Sequence, residues 1–330
     1  MTVQITVIGL GQVGTSIGLA LEPQKERILR VGHDRKADIA RQVEKMGAFD
    51  KIINNLHAAV EQADIVVLAL HEDPIRNTLE LIKDDLKEGA VVMDTSTSMI
   101  KVGSWMKELL PPDRYFATIS PTINPVYMDT LRLGPDEAHA DLFKKSALVI
   151  TSPVGMPADA IRLASELAAL LGAEPFYADP YEFDGLIASS KVLPMLLSAA
   201  FVNSTTGKPG WREGRRLAGK YFHHLTSPMM FLPEGETLEK LAMMDKDNVV
   251  RVLNDMMYAI MDFRDAIQDE DREKLDALVK QARDSQAEWY NQRMAGDWDK
   301  DPNKPQLPST GENLARFFTG GLFKKRDEKK

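Results

Sequence analysis

The first 180 residues alternate short, almost unbroken apolar runs with stretches whose apolar positions recur every three or four residues. The runs "VQITVIGL" (Val3–Leu10), "ILRVGH" (Ile28–His33), "DIVVLAL" (Asp64–Leu70), "AVVMD" (Ala90–Asp94), "YFATI" (Tyr115–Ile119) and "ALVIT" (Ala147–Thr151) predict strands. Their apolar character on successive residues is that of parallel strands covered on both faces. Helical spacing fills most of the gaps, as over Asp73–Asp85 and Ile100–Leu110. A further helix, Pro157–Leu171, and a strand, Ala173–Ala178, close this half. Such alternation predicts an α/β fold, a doubly wound parallel sheet of the Rossmann type, over residues 1–180.

Beyond Tyr181 the strand pattern stops. Glu182–Val202 reads as a helix that is apolar nearly all round from Val192 onward, which predicts a buried helix kinked at Pro194. Lys246–Gln268 repeats apolar residues at Val249, Leu253, Met256, Ile260 and Ile267, and a second helix continues through Leu275, Leu278, Ala282 and Trp289. Residues 181–298 therefore read as an all-helical domain for substrate binding and dimerisation, with a homodimer expected from its surplus of apolar surface. Residues 299–330 read as a mostly irregular tail whose one apolar island, Asn313–Phe323, is expected to dock on protein rather than to contact a membrane.

Composition narrows the function classes. A net charge of −8 gives no electrostatic support for nucleic-acid binding. The absence of cysteine excludes disulfides and thiolate catalysis, and with six scattered histidines no metal site is expected. No basic segment precedes the first strand and no apolar run reaches 18 residues without charge, so neither a signal peptide nor a membrane span is expected and the location expected is cytoplasmic.

The stretch "VIGLGQVGTSIGLAL" places Gly9-x-Gly11-x-x-Gly14 between a strand and a helix pattern, the setting that turns a weak motif into an informative one. Gly9 permits the tight turn, Gly11 leaves room for a pyrophosphate and Gly14 lets helix and strand approach. Leu10, Gln12 and Val13 complete the turn and the helix N-terminus, whose N–H groups attract phosphate. Asp34 lies 25 residues past Gly9, at the end of the second strand, where an acid can accept from ribose hydroxyls and repel a 2′-phosphate. That favours NAD; Arg35 and Lys36 follow at once and keep NADP as the alternative.

In such sheets the ligand lies beyond the carboxyl ends of the strands. That rule singles out Leu70 and His71, the segment "DTSTSM" (Asp94–Met99) and "SPTINP" (Ser120–Pro125). Ser96 is a candidate cofactor contact; Ser98 is either a site hydroxyl or the N-cap of the helix near Ile100. His71 is a candidate general base, histidine being the side chain that changes charge near neutral pH.

In this order of parts the chain resembles the prephenate and arogenate dehydrogenase family. The resemblance rests on "GLGQVGTSIGLAL", "ADIVVLAL", "ALVITSP", "EFDGLIASSKVLPMLLSAA", "GRRLAG", "DNVVRVLNDMMYAIMDFRDAI" and "SQAEWYNQR", and it spans roughly residues 3–294. It implies an NAD(P)-dependent oxidoreductase acting on a CH–OH group of a small anionic substrate, by oxidative decarboxylation in tyrosine biosynthesis. It also implies that Arg216, with Arg215 one residue off, holds a substrate carboxylate. The family's histidine–proline pair, however, reads Ser120-Pro121 here, and a second family histidine aligns with Val192. With no histidine at Ser120, that serine is expected to orient the substrate hydroxyl, while Lys191 or a bound water takes the proton. Two alternatives follow from the same residues. One is a β-hydroxyacid dehydrogenase-like enzyme, since "DTST" and Lys191 are similar to parts of that family. The other is a cofactor-binding, non-catalytic homologue.

Overall fold

The computed structural model of the chain describes residues 2–130, 132–152, 156–230, 232 and 238–296. Eight strands form one sheet in the order β3-β2-β1-β4-β5-β6-β7-β8. In chain order the elements are β1 (Val3–Ile8), α1 (Gln12–Ala20), β2 (Ile28–His33), α2 (Ala37–Met46), β3 (Lys51–Ile52), α3 (Leu56–Val60), β4 (Ile65–Leu68), α4 (Glu72–Ile82), β5 (Val91–Asp94), α5 (Met99–Leu109), β6 (Tyr115–Pro121), β7 (Ala147–Thr151), α6 (Ala158–Leu171) and β8 (Glu174–Tyr177). The chain reverses its winding between β1 and β4, so the turns that follow these two strands sit side by side.

The strands are apolar on both faces because helices cover both. Ile5, Val7, Ile65, Val67, Val91 and Met93 pack on one side with Ile17 of α1 and Leu163 and Leu167 of α6. Val66, Leu68, Val92 and Phe116 pack on the other with Ile75 and Leu79 of α4 and Val102 and Met106 of α5. Each such side chain, withdrawn from water, stabilises the fold by about 1.5–3 kcal/mol before entropy is counted. At the edge, the buried Arg30 guanidinium on β2 binds Asp50 (2.7 and 3.2 Å) and the carbonyls of Gly18 and Ala48.

The sheet departs from the expected all-parallel pattern at one pairing: β7 runs antiparallel to β6, with Ser120 opposite Val149. The cause is the connection. Residues 122–146 carry two short 3-10 turns, Pro125–Tyr127 and Pro135–Glu137, rather than a crossover helix, and a parallel return needs a crossover. The two-residue β3 has no expected counterpart, because two residues carry no readable period.

The helical unit begins at Tyr181. It comprises α7 (Pro180–Ile187), a π turn at Ala188–Val192, α8 (Leu193–Thr206), α9 (Trp211–Gly214), α10 (Lys220–Thr226), α11 (Leu238–Met244), α12 (Lys246–Gln268) and α13 (Arg272–Ala295). The kink expected at Pro194 takes the form of the π turn just before it. Proline has no N–H and its ring crowds the carbonyl four residues back, and a wider turn relieves both.

The expectation that this helix is buried is not met within one chain. A small core joins Ala188 and Val192 to Val249 and Val252. Yet only 17% of the most apolar window of Pro180–Thr206 is buried, and Ile260 and Ile267 on α12 are 55% and 61% exposed. By length and composition alone Pro180–Thr206 is apolar enough to cross a membrane, a property that a search for uncharged runs overlooks. An apolar circumference requires a cover but does not require that the same chain provide it. The tail 299–330, with its apolar island Asn313–Phe323, lies outside the described residues.

Candidate functional site

The carboxyl end of β1 delivers the chain into the glycine turn, and the geometry gives each glycine a different reason to be there. Gly9 has φ +93°, and a Cβ on it would lie 2.4 Å from the carbonyl oxygen of Ala69 after β4. A Cβ on Gly14 would fall 1.9 Å from the carbonyl oxygen of Gly9. Gly11 has ordinary backbone angles and only the Leu133 carbonyl oxygen, at 3.5 Å, within reach. Gly9 and Gly14 thus permit the turn itself, while the missing side chain at Gly11 leaves a hollow over the N-terminus of α1. In folds of this kind a pyrophosphate binds at that position, against the helix N-terminus; here the Leu133 carbonyl stands in it.

Asp34 closes β2 beside the turn. One carboxylate oxygen accepts the Leu10 N–H and the other the Lys36 N–H, both at 2.8 Å. A carboxylate has about four acceptor positions, so capacity is left for two ribose hydroxyls. Leu10 is fully buried, Gln12 is buried at the first position of α1, Val13 is half-buried and Arg35 is exposed. Leu70 is half-buried and lies against Gly9. His71 is exposed and stands at the N-cap of α4.

One occupant of the turn was not foreseen. The Gln12 backbone N–H donates to the Leu133 carbonyl at 3.0 Å, and its side-chain amide donates to the Glu137 carbonyl at 3.1 Å. The His139 N–H donates to the Ser16 hydroxyl at 3.0 Å, and Gln42 of α2 donates to Asp136. The segment between β6 and β7 therefore straps across the front of α1. Its Gly-Pro-Asp-Glu stretch reads in sequence as an ordinary surface loop.

A second set of polar groups gathers where β4, β5 and β6 end. Asp94, the last residue of β5, is fully buried. Its Oδ1 accepts the Ser96 hydroxyl and the Ser96 N–H (3.0 Å), and its Oδ2 accepts the Thr118 hydroxyl at 2.7 Å. Burial pushes the Asp94 carboxyl up to about 6, against the hydrogen bonds from Ser96 and Thr118, and the charge of Glu72 adds to the rise. Glu72, itself buried at the start of α4, accepts the Thr97 N–H and hydroxyl, both at 2.9 Å.

Asp94 opens the segment Asp94–Met99 singled out from the sequence, though with no role for its carboxylate, and Glu72 is not among the expected residues. The available signal was an acid ending a wholly apolar strand, "AVVMD". Ser96 is buried against Asp94, and Ser98 occupies the N-cap position of α5 without a side-chain capping bond. Ser120 lies inside β6, not after it, and is buried. In the helical unit Lys191 sits in the π turn, half-buried, while Arg215 and Arg216 are exposed just after α9. Among the described residues no group of three or more His, Cys, Asp or Glu is placed to hold a metal ion.

A glycine turn at the winding reversal, a helix N-terminus behind it and an acid closing the next strand define a dinucleotide-binding α/β protein. Residues 17–176 match the family model described as prephenate dehydrogenase, nucleotide-binding domain. Over these residues the chain belongs to the prephenate dehydrogenase family. It is similar to a prephenate dehydrogenase of Bacillus subtilis, 22% identical over 290 residues, covering 85% of this chain and 74% of that one. Among solved structures it is similar to the prephenate dehydrogenase of A. aeolicus in complex with hydroxyphenyl propionate and NAD+ (TM-score 0.75, 16% identity, 87% of this chain and 98% of that one). It is also similar to Synechocystis arogenate dehydrogenase (TM-score 0.68, 20% identity, 87% and 99%). At these identities the structural likeness establishes the fold.

Proposed function

We propose that the chain is an NAD+-dependent dehydrogenase that oxidises the ring hydroxyl of prephenate or arogenate, with loss of CO2, in tyrosine biosynthesis. The observation that carries this reading is the Gly9–Gly14 turn at the N-terminus of α1 with Asp34 bonded to the Leu10 N–H beside it, in a chain whose residues 17–176 match this family's nucleotide-binding domain. Bound there, the dinucleotide supplies the hydride acceptor. Oxidation of the ring alcohol makes a vinylogous β-keto acid, which loses CO2 and becomes aromatic. The protein then has two tasks: to fix an anionic substrate and to take one proton.

The residues divide accordingly. Gly9, Leu10, Gly11, Gln12, Val13 and Gly14 hold the pyrophosphate, and Asp34 the adenine ribose. Asp34 favours NAD+ by repelling a 2′-phosphate, and its exposed neighbour Arg35 makes NADP+ the competing choice. Leu70 and Ser96 border the nicotinamide end. Arg216, with Arg215, grips a substrate carboxylate. Ser120 orients the substrate hydroxyl; Lys191, His71 and Ser98 are the remaining candidates for the proton. The working form is a cytoplasmic homodimer joined by the apolar helix faces.

Initial rates with prephenate and with arogenate, each with NAD+ and with NADP+, test the proposal; 3-hydroxy acids serve as controls. Turnover of either cyclohexadienyl acid, faster with NAD+, is the expected result. Oxidation of 3-hydroxy acids instead overturns the substrate class. Tight NAD+ binding without turnover of any of them makes the chain a non-catalytic binder.

A further inference from the structure

The resemblance drawn from the sequence puts Ser120 where the family has a histidine, and a serine alone cannot hold a proton near neutral pH. The geometry at the ends of β5 and β6 provides a group that can. Asp94 and Thr118 pair in register, so both face the same side of the sheet, the side covered by α4 and α5. Ser120 lies two residues further along β6 on that same face, beyond the point where β5 has ended. Ser96 lies just past that end and places its hydroxyl on Asp94. The result is an ordered set of hydroxyls around one enclosed carboxylate, at the edge of the sheet where ligands lie.

We propose that Asp94 is the proton reservoir of the oxidation and the positioning residue behind Ser96. This rests on the dehydrogenase reading above. The substrate O–H passes its proton to the Ser96 oxygen as the Ser96 O–H proton moves to Asp94 Oδ1. The carbon–hydrogen bond breaks with its electron pair going to NAD+, and the C=O bond forms. One proton and one hydride leave the alcohol, and the new bond on the protein is the Asp94 O–H.

Three features fit this role. Among the described residues Asp94 is bonded to hydroxyls and an N–H and to no cation, so it is costly to keep ionised, and burial raises it to about 6, close enough to working pH to accept and return a proton. The charge acting on it is Glu72, from α4, which favours the protonated form. The residues paired with it, Leu68 of β4 and Thr118 of β6, do not titrate, and α5 contributes Val102 and Met106 on this side. Lastly, Glu72 ties down the backbone and hydroxyl of Thr97, which fixes the loop that carries Ser96.

The test uses the full-length protein with Asp94→Asn, Ser96→Ala and Lys191→Ala, assayed on prephenate and arogenate with NAD+. The expected result is a wild-type kcat that falls away below pH 6. Asp94→Asn should lower kcat about 100-fold or more with little change in KM, and the acid limb should vanish. Ser96→Ala should weaken or remove the same limb while leaving Asp94 in place. A readout independent of turnover is the carboxyl 13C titration of the cofactor-free protein, in which the signal absent from Asp94→Asn should have its midpoint near 6.

Wild-type kcat and pH profile in Asp94→Asn overturn the relay, as does loss of the limb in Lys191→Ala alone. So does an Asp94 signal that titrates in the ordinary carboxylate range. Absence of turnover by the wild type overturns the substrate reading first and the relay with it, whereas a turning-over wild type matched by Asp94→Asn overturns the relay alone.

Discussion

The first N–H of α1, on Gln12, is bonded to the carbonyl of Leu133 at 3.0 Å, in the place where a helix N-terminus would meet phosphate. Two anionic or partly negative oxygens cannot share that N–H at full strength, so cofactor binding should shift the strap. Hydrogen exchange with and without saturating NAD+ should show the change over residues 132–139, centred on the His139 amide bonded to Ser16. Ser16→Ala removes that anchor. One hydrogen bond is worth about 0.5–1.5 kcal/mol, so NAD+ affinity should tighten by roughly 2- to 12-fold. A weaker affinity in Ser16→Ala would mean that the strap supports the cofactor rather than competing with it.

The glycines of the turn should separate folding from binding. Gly14→Ala forces a Cβ to within 1.9 Å of the Gly9 carbonyl oxygen, backbone against backbone, so the turn must distort and the domain should lose several kcal/mol or fail to fold. Gly11→Ala meets only the Leu133 carbonyl at 3.5 Å. Its Tm should stay within a few degrees of the wild type while NAD+ binding by calorimetry weakens at least tenfold. Equal loss of stability in the two variants would show that Gly11 serves the fold.

Asp94 carries a pH signature in stability as well as in rate. Its folded-state value, about 6, lies above the ordinary 3.8. The native state therefore holds the proton over a range where the unfolded chain has released it. Stability from this group is greatest below 3.8 and is lost as pH rises through 6. Relative to Asp94→Asn, the wild type should gain about 1.4 kcal/mol on going from pH 8 to pH 5. Urea unfolding of both proteins at the two pH values measures this directly. A difference that is flat with pH would place the carboxyl near its usual value.

The division between what could and could not be read from the sequence follows the range of each interaction. β2 and β7 match their apolar runs residue for residue, and α12 matches its spacing over Lys246–Gln268, because local periodicity determines these elements. The glycine motif was legible because Gly9 and Gly14 answer to sterics within a few residues. The antiparallel β7 was not, because it depends on the absence of a helix from a long connection. The strap was not, because Leu133 and Gln12 are far apart in sequence and meet through a backbone carbonyl that any residue supplies. The role of the Asp94 carboxylate is not legible in its segment for a similar reason. Its burial and its hydroxyl partner Thr118 on β6 exist only once β5 and β6 are paired.

The helical unit leaves Val250, Met257, Tyr258, Ile260 and Ile267 on α12 between 54% and 67% exposed, and Val279 and Trp289 on α13 half exposed. Soluble chains seldom leave that much contiguous apolar surface in water. A two-fold partner would cover it by presenting the same face, since an isologous interface is self-complementary. Covering enough of it to hold a stable dimer takes about 800 Å² or more per protomer. Light scattering at micromolar concentration should therefore give a mass near twice 36.8 kDa. Ile260→Glu together with Tyr258→Glu would set like charges against each other across the two-fold axis. The double variant should shift to monomer, with the sheet-bearing unit still binding NAD+. A wild-type monomer at that concentration, or a double variant that stays dimeric, would assign this face to something other than a second copy of the chain.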